Sequence, residues 1–103
     1  MHVIIFEVWP FAEGKHRYFE LAAELKAILA DQPGFISVER FQSLMDEEKL
    51  LSISFWESEE AIIKWRQNID HINAQKEGKD KLFKAYRIRV AEVQRDYRFS
   101  ADD

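Results

Sequence analysis

Residues 35–56 decide the fold. Phe35-Ile36-Ser37-Val38-Glu39-Arg40-Phe41-Gln42-Ser43-Leu44 is followed by Met45-Asp46-Glu47-Glu48 and then by Lys49-Leu50-Leu51-Ser52-Ile53-Ser54-Phe55-Trp56. The first run, residues 35–44, reads as a strand, with Phe35, Ser37, Glu39 and Phe41 on one face and Ile36, Val38 and Arg40 on the other. Asp46-Glu47-Glu48 makes a polar hairpin turn. Residues 49–56 return as a second strand, setting Leu51, Ile53 and Phe55 against Leu50, Ser52, Ser54 and Trp56.

Helical signals flank the hairpin on both sides. Upstream, Tyr18, Leu21, Ala22, Leu25, Ile28 and Leu29 recur at helical spacing from Lys15 to about Ala30, and Gln32-Pro33-Gly34 stops that helix. Downstream, Ser58 is an N-cap, with Glu59 and Glu60 in the first turn where the helix dipole favours anions. Ala61, Ile62, Trp65 and Ile69 form the stripe of this second helix, and Asp70 can cap a continuation bearing His71, Ala74, Gln75 and Gly78. At the ends of the chain, residues 2–9 read as a strand apolar on both faces, Ile4/Phe6/Val8 against Val3/Ile5/Trp9, with Glu7 alone in the second set. Residues 83–98 read as one long closing strand.

The order is β-α-β-β-α-β. With right-handed crossovers it predicts an α+β, ferredoxin-like fold, an antiparallel four-stranded sheet with both helices on one face. Two helices cover one face only, whereas several strands are apolar on both. A second copy is the simplest cover for the other face, so a homodimer is expected, with residues 93–99 reaching over the partner.

Composition narrows the functional classes. The 103 residues suit one domain, with 2–99 as the ordered core and 100–103 as a tail. Fifteen basic and nineteen acidic side chains leave a net charge of −4, which weighs against nucleic acid as a partner. The absence of cysteine excludes a disulfide scaffold, a thiol nucleophile and a thiolate metal site. Three scattered glycines provide no phosphate-cradling loop. The amino-terminal segment lacks the basic start of a signal peptide, and no apolar run is long enough to span a bilayer, so a cytoplasmic location is expected and a membrane is not expected as a partner.

The sequence resembles the antibiotic biosynthesis monooxygenase (ABM) family of small dimeric α+β barrels over nearly its whole length. The resemblance is carried by Pro33-Gly34-Phe35-Ile36-Ser37-Val38-Glu39-Arg40-Phe41, Leu51-Ser52-Ile53-Ser54-Phe55-Trp56 and Glu59-Glu60-Ala61 leading to Trp65. It continues through His71, Ala74-Gln75, Gly78, Phe83, Tyr86 and Arg95-Asp96-Tyr97. The resemblance implies a pocket between helices and sheet, lined by Trp65. Phenol oxygenases of this fold use no metal or flavin, and often have a tyrosine where His71 stands. Haem degraders pair a similar tryptophan with an asparagine and a histidine, whose positions look like Glu7 and Gln75 here. Both departures weigh against haem.

His71 is a candidate general base, because imidazole titrates near neutral pH; the alternative is a surface or capping histidine beside Asp70. Trp65 is a candidate to stack on a flat ligand, or else the largest core residue of its helix. Glu7, Tyr86, Arg87 and Trp56 are candidates for substrate contact, with Trp56 and Trp9 otherwise core. Glu7 requires a partner if buried, and Arg87 or Arg89 on the last strand is expected to supply it. Eight basic and four acidic residues from Lys76 to Arg98 read as a solvated segment that could also steer an anion. The expectation is a cofactor-independent monooxygenase joining dioxygen to a small aromatic, polyphenol or quinol-like substrate, with no metal. Haem binding and a non-catalytic dimeric binding or stress protein are the alternatives.

Overall fold

The structure is a computed structural model that describes residues 1–68 and 82–102. Four strands form one antiparallel sheet: β1 (His2–Pro10), β2 (Phe35–Gln42), β3 (Leu50–Trp56) and β4 (Phe83–Glu92), in the order β2-β3-β1-β4. Helices α1 (Lys15–Leu29) and α2 (Glu59–Arg66) complete the ferredoxin-like α+β arrangement. A 3-10 turn at Ala12–Gly14 leads into α1.

Register sorts the side chains between the two sheet faces. Ile4, Phe6 and Val8 of β1 stand opposite Ser54, Ser52 and Leu50 of β3 and opposite Val90, Ile88 and Tyr86 of β4. All of these face the helices. Leu29 of α1 and Ala61, Ile62 and Trp65 of α2 enclose Trp56 in one core cluster, against which Ile4, Leu25, Ile28, Phe35 and Val38 pack. Val8, Tyr18 and Leu50 form a second cluster, with Phe6 and Phe83 against it. The α2 cap is as expected: the Ser58 hydroxyl accepts a hydrogen bond from the Ala61 amide at 3.2 Å, satisfying one of the unpaired donors of the first turn.

Two strand readings are corrected. Strict alternation along β2 fails between Phe35 and Ser37, where the register with β3 shifts. The irregularity turns Phe35 onto the helix-covered face, 5.4 Å from the Trp56 ring, and leaves Ile36 exposed. The closing strand is also shorter than residues 83–98. It ends at Glu92 opposite His2, and the Val93 amide donates to the Met1 carbonyl at 3.0 Å. The ladder stops there, and residues 93–100 have no regular secondary structure, with Tyr97 85% and Phe99 89% exposed.

The helix-free face carries Val3, Ile5, Glu7 and Trp9 beside Leu51, Ile53 and Phe55. These residues are only half-buried in the single chain.

Candidate functional site

Between the helices and the sheet lies a cavity of about 150 Å³ whose lining draws on both core clusters. The inward residues of all four strands contribute: Ile4 and Phe6, Val38 and Arg40, Ser52 and Ser54, and Tyr86, Ile88 and Val90, with Phe83 at the start of β4. Tyr18, Leu21, Ala22, Leu25 and Leu29 of α1 form the opposite wall, and Trp65 and Arg66 of α2 close one side.

One part of the wall is aromatic. Phe6 and Tyr86 stack at 5.7 Å, and Phe83 meets Phe6, Tyr18 and Tyr86 edge-on at 5.8, 5.5 and 5.8 Å. Such offset and edge contacts hold rings in fixed orientations, so this wall is stiff. Trp65, only 4% exposed, borders the cavity and is backed by Trp56 at a ring distance of 6.2 Å. Trp56 itself is 0% exposed and does not line the cavity; its indole N–H donates to the Ser54 hydroxyl at 3.0 Å. It therefore acts by supporting Trp65 and orienting Ser54.

Among the candidates named from the sequence, Trp65 and Tyr86 come together on this cavity. Glu7 and Arg87 do not. They are cross-strand partners with side chains on the helix-free face, because they alternate with the inward Phe6, Val8 and Tyr86. Glu7 is held there by Arg89 and by Lys49, whose ammonium lies 2.5 Å from Glu7 Oε2. The hydrogen bond from Lys49, reinforced by Arg89, keeps the Glu7 carboxyl below its usual range against the opposing effect of burial. Lys49 also lies 5.3 Å from the centre of the Trp9 ring, and the Trp9 indole N–H donates to Asp46 at 3.0 Å. His71, Asp70 and Gln75 lie outside the described residues.

Arg40, Tyr18 and Ser52 are cavity residues that the sequence does not single out as site candidates. Arg40 is readable as sharing a face with Val38, but with Glu39 on the opposite face neither side of β2 is marked as inward. Arg40 donates from Nη2 to the Ala22 carbonyl at 3.1 Å, tying β2 to α1. Burial pushes the Tyr18 phenol up, and the nearby Arg40 guanidinium offsets part of that rise. Among the described residues there is no group of three or more His, Asp or Glu side chains arranged to hold a metal ion.

The family model for antibiotic biosynthesis monooxygenases matches residues 1–77. The chain belongs to this family. A Pyricularia oryzae protein named jasmonate monooxygenase ABM is 36% identical over 93 residues, which span 90% of this chain and 43% of that protein. YqjZ of Bacillus subtilis is 33% identical over 88 residues, spanning 85% of this chain and 75% of that protein. The ABM chain thus spans less than half the length of the Pyricularia relative.

Solved structures share the fold at much lower identity. A Deinococcus radiodurans protein described as a candidate antibiotic biosynthesis monooxygenase superposes with a TM-score of 0.86 at 13% identity, covering 98% of the ABM chain and all of its own. A point mutant of SnoaB, a cofactor-independent oxygenase of Streptomyces nogalater, gives 0.80 at 10% identity, covering 92% and 94%. No helix among the described residues is long and apolar enough to cross a membrane.

Proposed function

We propose that this ABM chain is a monooxygenase that needs no cofactor and oxygenates a small aromatic, polyphenol or quinol-like molecule in the cavity beneath Trp65. The observation that carries the reading is the cavity itself, which is apolar, walled by fixed aromatic rings and overlaid by Trp65. Its volume of about 150 Å³ suits one ring or a short chain. The name of the Pyricularia relative and the cofactor-independent chemistry of SnoaB support the same reaction class.

In this reading Trp65 and the Phe6–Tyr86 stack clamp a flat substrate, and His71 takes its proton. The electron-rich anion then reacts with dioxygen directly. The substrate supplies all four electrons: it gains one oxygen atom and loses two hydrogens, and the second oxygen atom leaves as water. Apolar walls keep bulk water from the intermediate.

The haem reading has less support. The cavity bounded by the described residues is smaller than the several hundred Å³ of ordinary cofactor pockets. Glu7, whose position resembles that of the haem degraders' asparagine, is turned to the other sheet face. A homodimer through the helix-free face and a cytoplasmic location complete the proposal.

Oxygen uptake with a panel of quinols and polyphenols tests the activity. Turnover should be saturable and should fall about 10²-fold or more in His71→Ala, the loss expected for a general base. Absence of uptake with every member of the panel would favour a non-catalytic binding protein. A saturable Soret shift on adding haem, lost in His71→Ala, would favour haem.

A further inference from the structure

We infer that the molecule bound in this cavity carries one anionic oxygen group seated on Arg40, with the rest of its surface apolar. The inference rests on the cavity being the binding site proposed above and adds the charge of what it binds.

Arg40 is half-buried and borders an otherwise largely apolar space. A guanidinium has five N–H donors in one plane; among the described residues one of them bonds the Ala22 carbonyl and another faces the Tyr18 phenol oxygen, which leaves donors for a ligand. No carboxylate among the described residues pairs with it. A ligand that fills the cavity would take water from this half-buried cation, and an anion on the ligand offsets the cost of that desolvation. Tyr18 does not supply an anion instead: burial favours its neutral phenol, which can itself donate a hydrogen bond.

The wider charge pattern agrees. Arg40 and Arg66 both line the cavity, and its described lining has no Asp or Glu, although the chain as a whole carries a net charge of −4. Ser52, the cross-strand partner of Arg40, adds a neutral hydroxyl at the same place. A low-dielectric pocket holding cations in an acidic protein concentrates small anions. A planar oxyanion matches the guanidinium fork. Two sources fit this chemistry: a carboxylate, charged before it binds, or an acidic enol or phenol that ionises on binding.

Equilibrium titrations of the full chain, followed by tryptophan fluorescence under argon, test the inference without turnover. The probes are 4-ethylbenzoate, its neutral counterpart 4-ethylbenzamide, and 4-nitrophenol, whose ionisation is visible by absorbance. The acid should bind about ten-fold or more tightly than the amide, the loss expected when a buried charge goes unmatched. Arg40→Met should abolish that preference while leaving amide binding nearly unchanged, and Arg40→Lys, which keeps the charge, should retain part of it. Preference for the acid without an ionisation shift of bound nitrophenol identifies a carboxylate site. Nitrophenol ionising at lower pH when bound, with no preference for acid over amide, identifies an ionised enol or phenol; both results together support the inference for either source.

Equal binding of acid and amide with unshifted nitrophenol overturns the inference, as does a preference that persists in Arg40→Met. Should Arg40→Met fail to fold, the probe contrast in the unmodified chain and in Arg40→Lys decides. A silent oxygen electrode beside an intact anion preference would refute the oxygenase reading alone. No binding by any probe would overturn both.

Discussion

A Cβ placed on Gly34 would lie 2.5 Å from the Cβ of Ala61, so the turn before β2 and the first turn of α2 meet through the space of a missing methyl group. Gly34 also has a positive φ of 82°, and its carbonyl accepts the Glu57 amide at 2.8 Å. This contact sets the start of α2 against the sheet, and through it the position of Trp65 over the cavity.

Gly34→Ala should therefore combine left-handed strain with overpacking and destabilise the protein by about 2–4 kcal/mol. In a domain of this size that corresponds to a fall in melting temperature of roughly 10 °C or more. A thermal melt within a degree or two of the unmodified protein would show that Ala61 yields freely.

Glu7 makes stability depend on acid. Its folded carboxyl titrates below the ordinary value of 4.5, chiefly through the Lys49 hydrogen bond, so the unfolded chain takes up the proton first. The contribution is fully present above pH 4.5 and is lost as the pH falls through the lower folded value. Asp46, held below 3.8 first by the Trp9 indole and then by the Glu48 amide, adds to the same slope. Urea titrations from pH 6 downward should show this loss, and Glu7→Gln should flatten it. An unchanged slope in Glu7→Gln would assign the acid sensitivity elsewhere.

Light scattering at low micromolar concentration should give about twice the chain mass of 12.3 kDa. Ile53 pairs with Ile5 near the middle of the helix-free face, so Ile53→Lys should shift the mass toward a single chain with little change in secondary structure. A monomer in the unmodified protein would leave that apolar face without its proposed occupant.

Trp65 is both wall and core. Trp65→Ala should cost about 3–5 kcal/mol of stability, so lost activity in that variant would be ambiguous. Trp65→Phe keeps an aromatic face at a smaller volume loss. It should bind 4-ethylbenzamide within about ten-fold of the unmodified protein if stacking is the role of this residue. Calorimetric binding beside a thermal melt separates the two effects.

The strand pairing, the Ser58 cap and the need of Glu7 for a cation on the last strand are readable in the sequence because each rests on local pattern or on a carboxylate that must be matched. The choice of Arg89 over Arg87, and the second partner Lys49, come only from the structure. The shift at Phe35 is not readable, because alternation cannot reveal an extra residue until the partner strand is in place. Nor is the end of β4, because residues 93–98 keep a strand-like composition and only the observed register with β1 shows that the ladder stops at Glu92. Trp65 and Tyr86 emerge as cavity residues through the family pattern. Arg40 escapes notice because a charged residue in a strand reads first as solvent-facing, and only the cover supplied by α1 turns it into a lining cation.

The carboxylate on the helix-free face also affects the chain before it folds. Val3-Ile4-Ile5-Phe6 and Val8-Trp9 would form one continuous apolar β-prone window if Glu7 were not between them. Charges placed inside such windows discourage nascent chains from stacking strand on strand. Because side chains alternate, slipping β1 by one residue would turn that carboxylate to the cavity side, away from Lys49 and Arg89, and would turn Phe6 and Val8 out of it. One side chain thus guards against aggregation in the unfolded chain and against mispairing in the sheet.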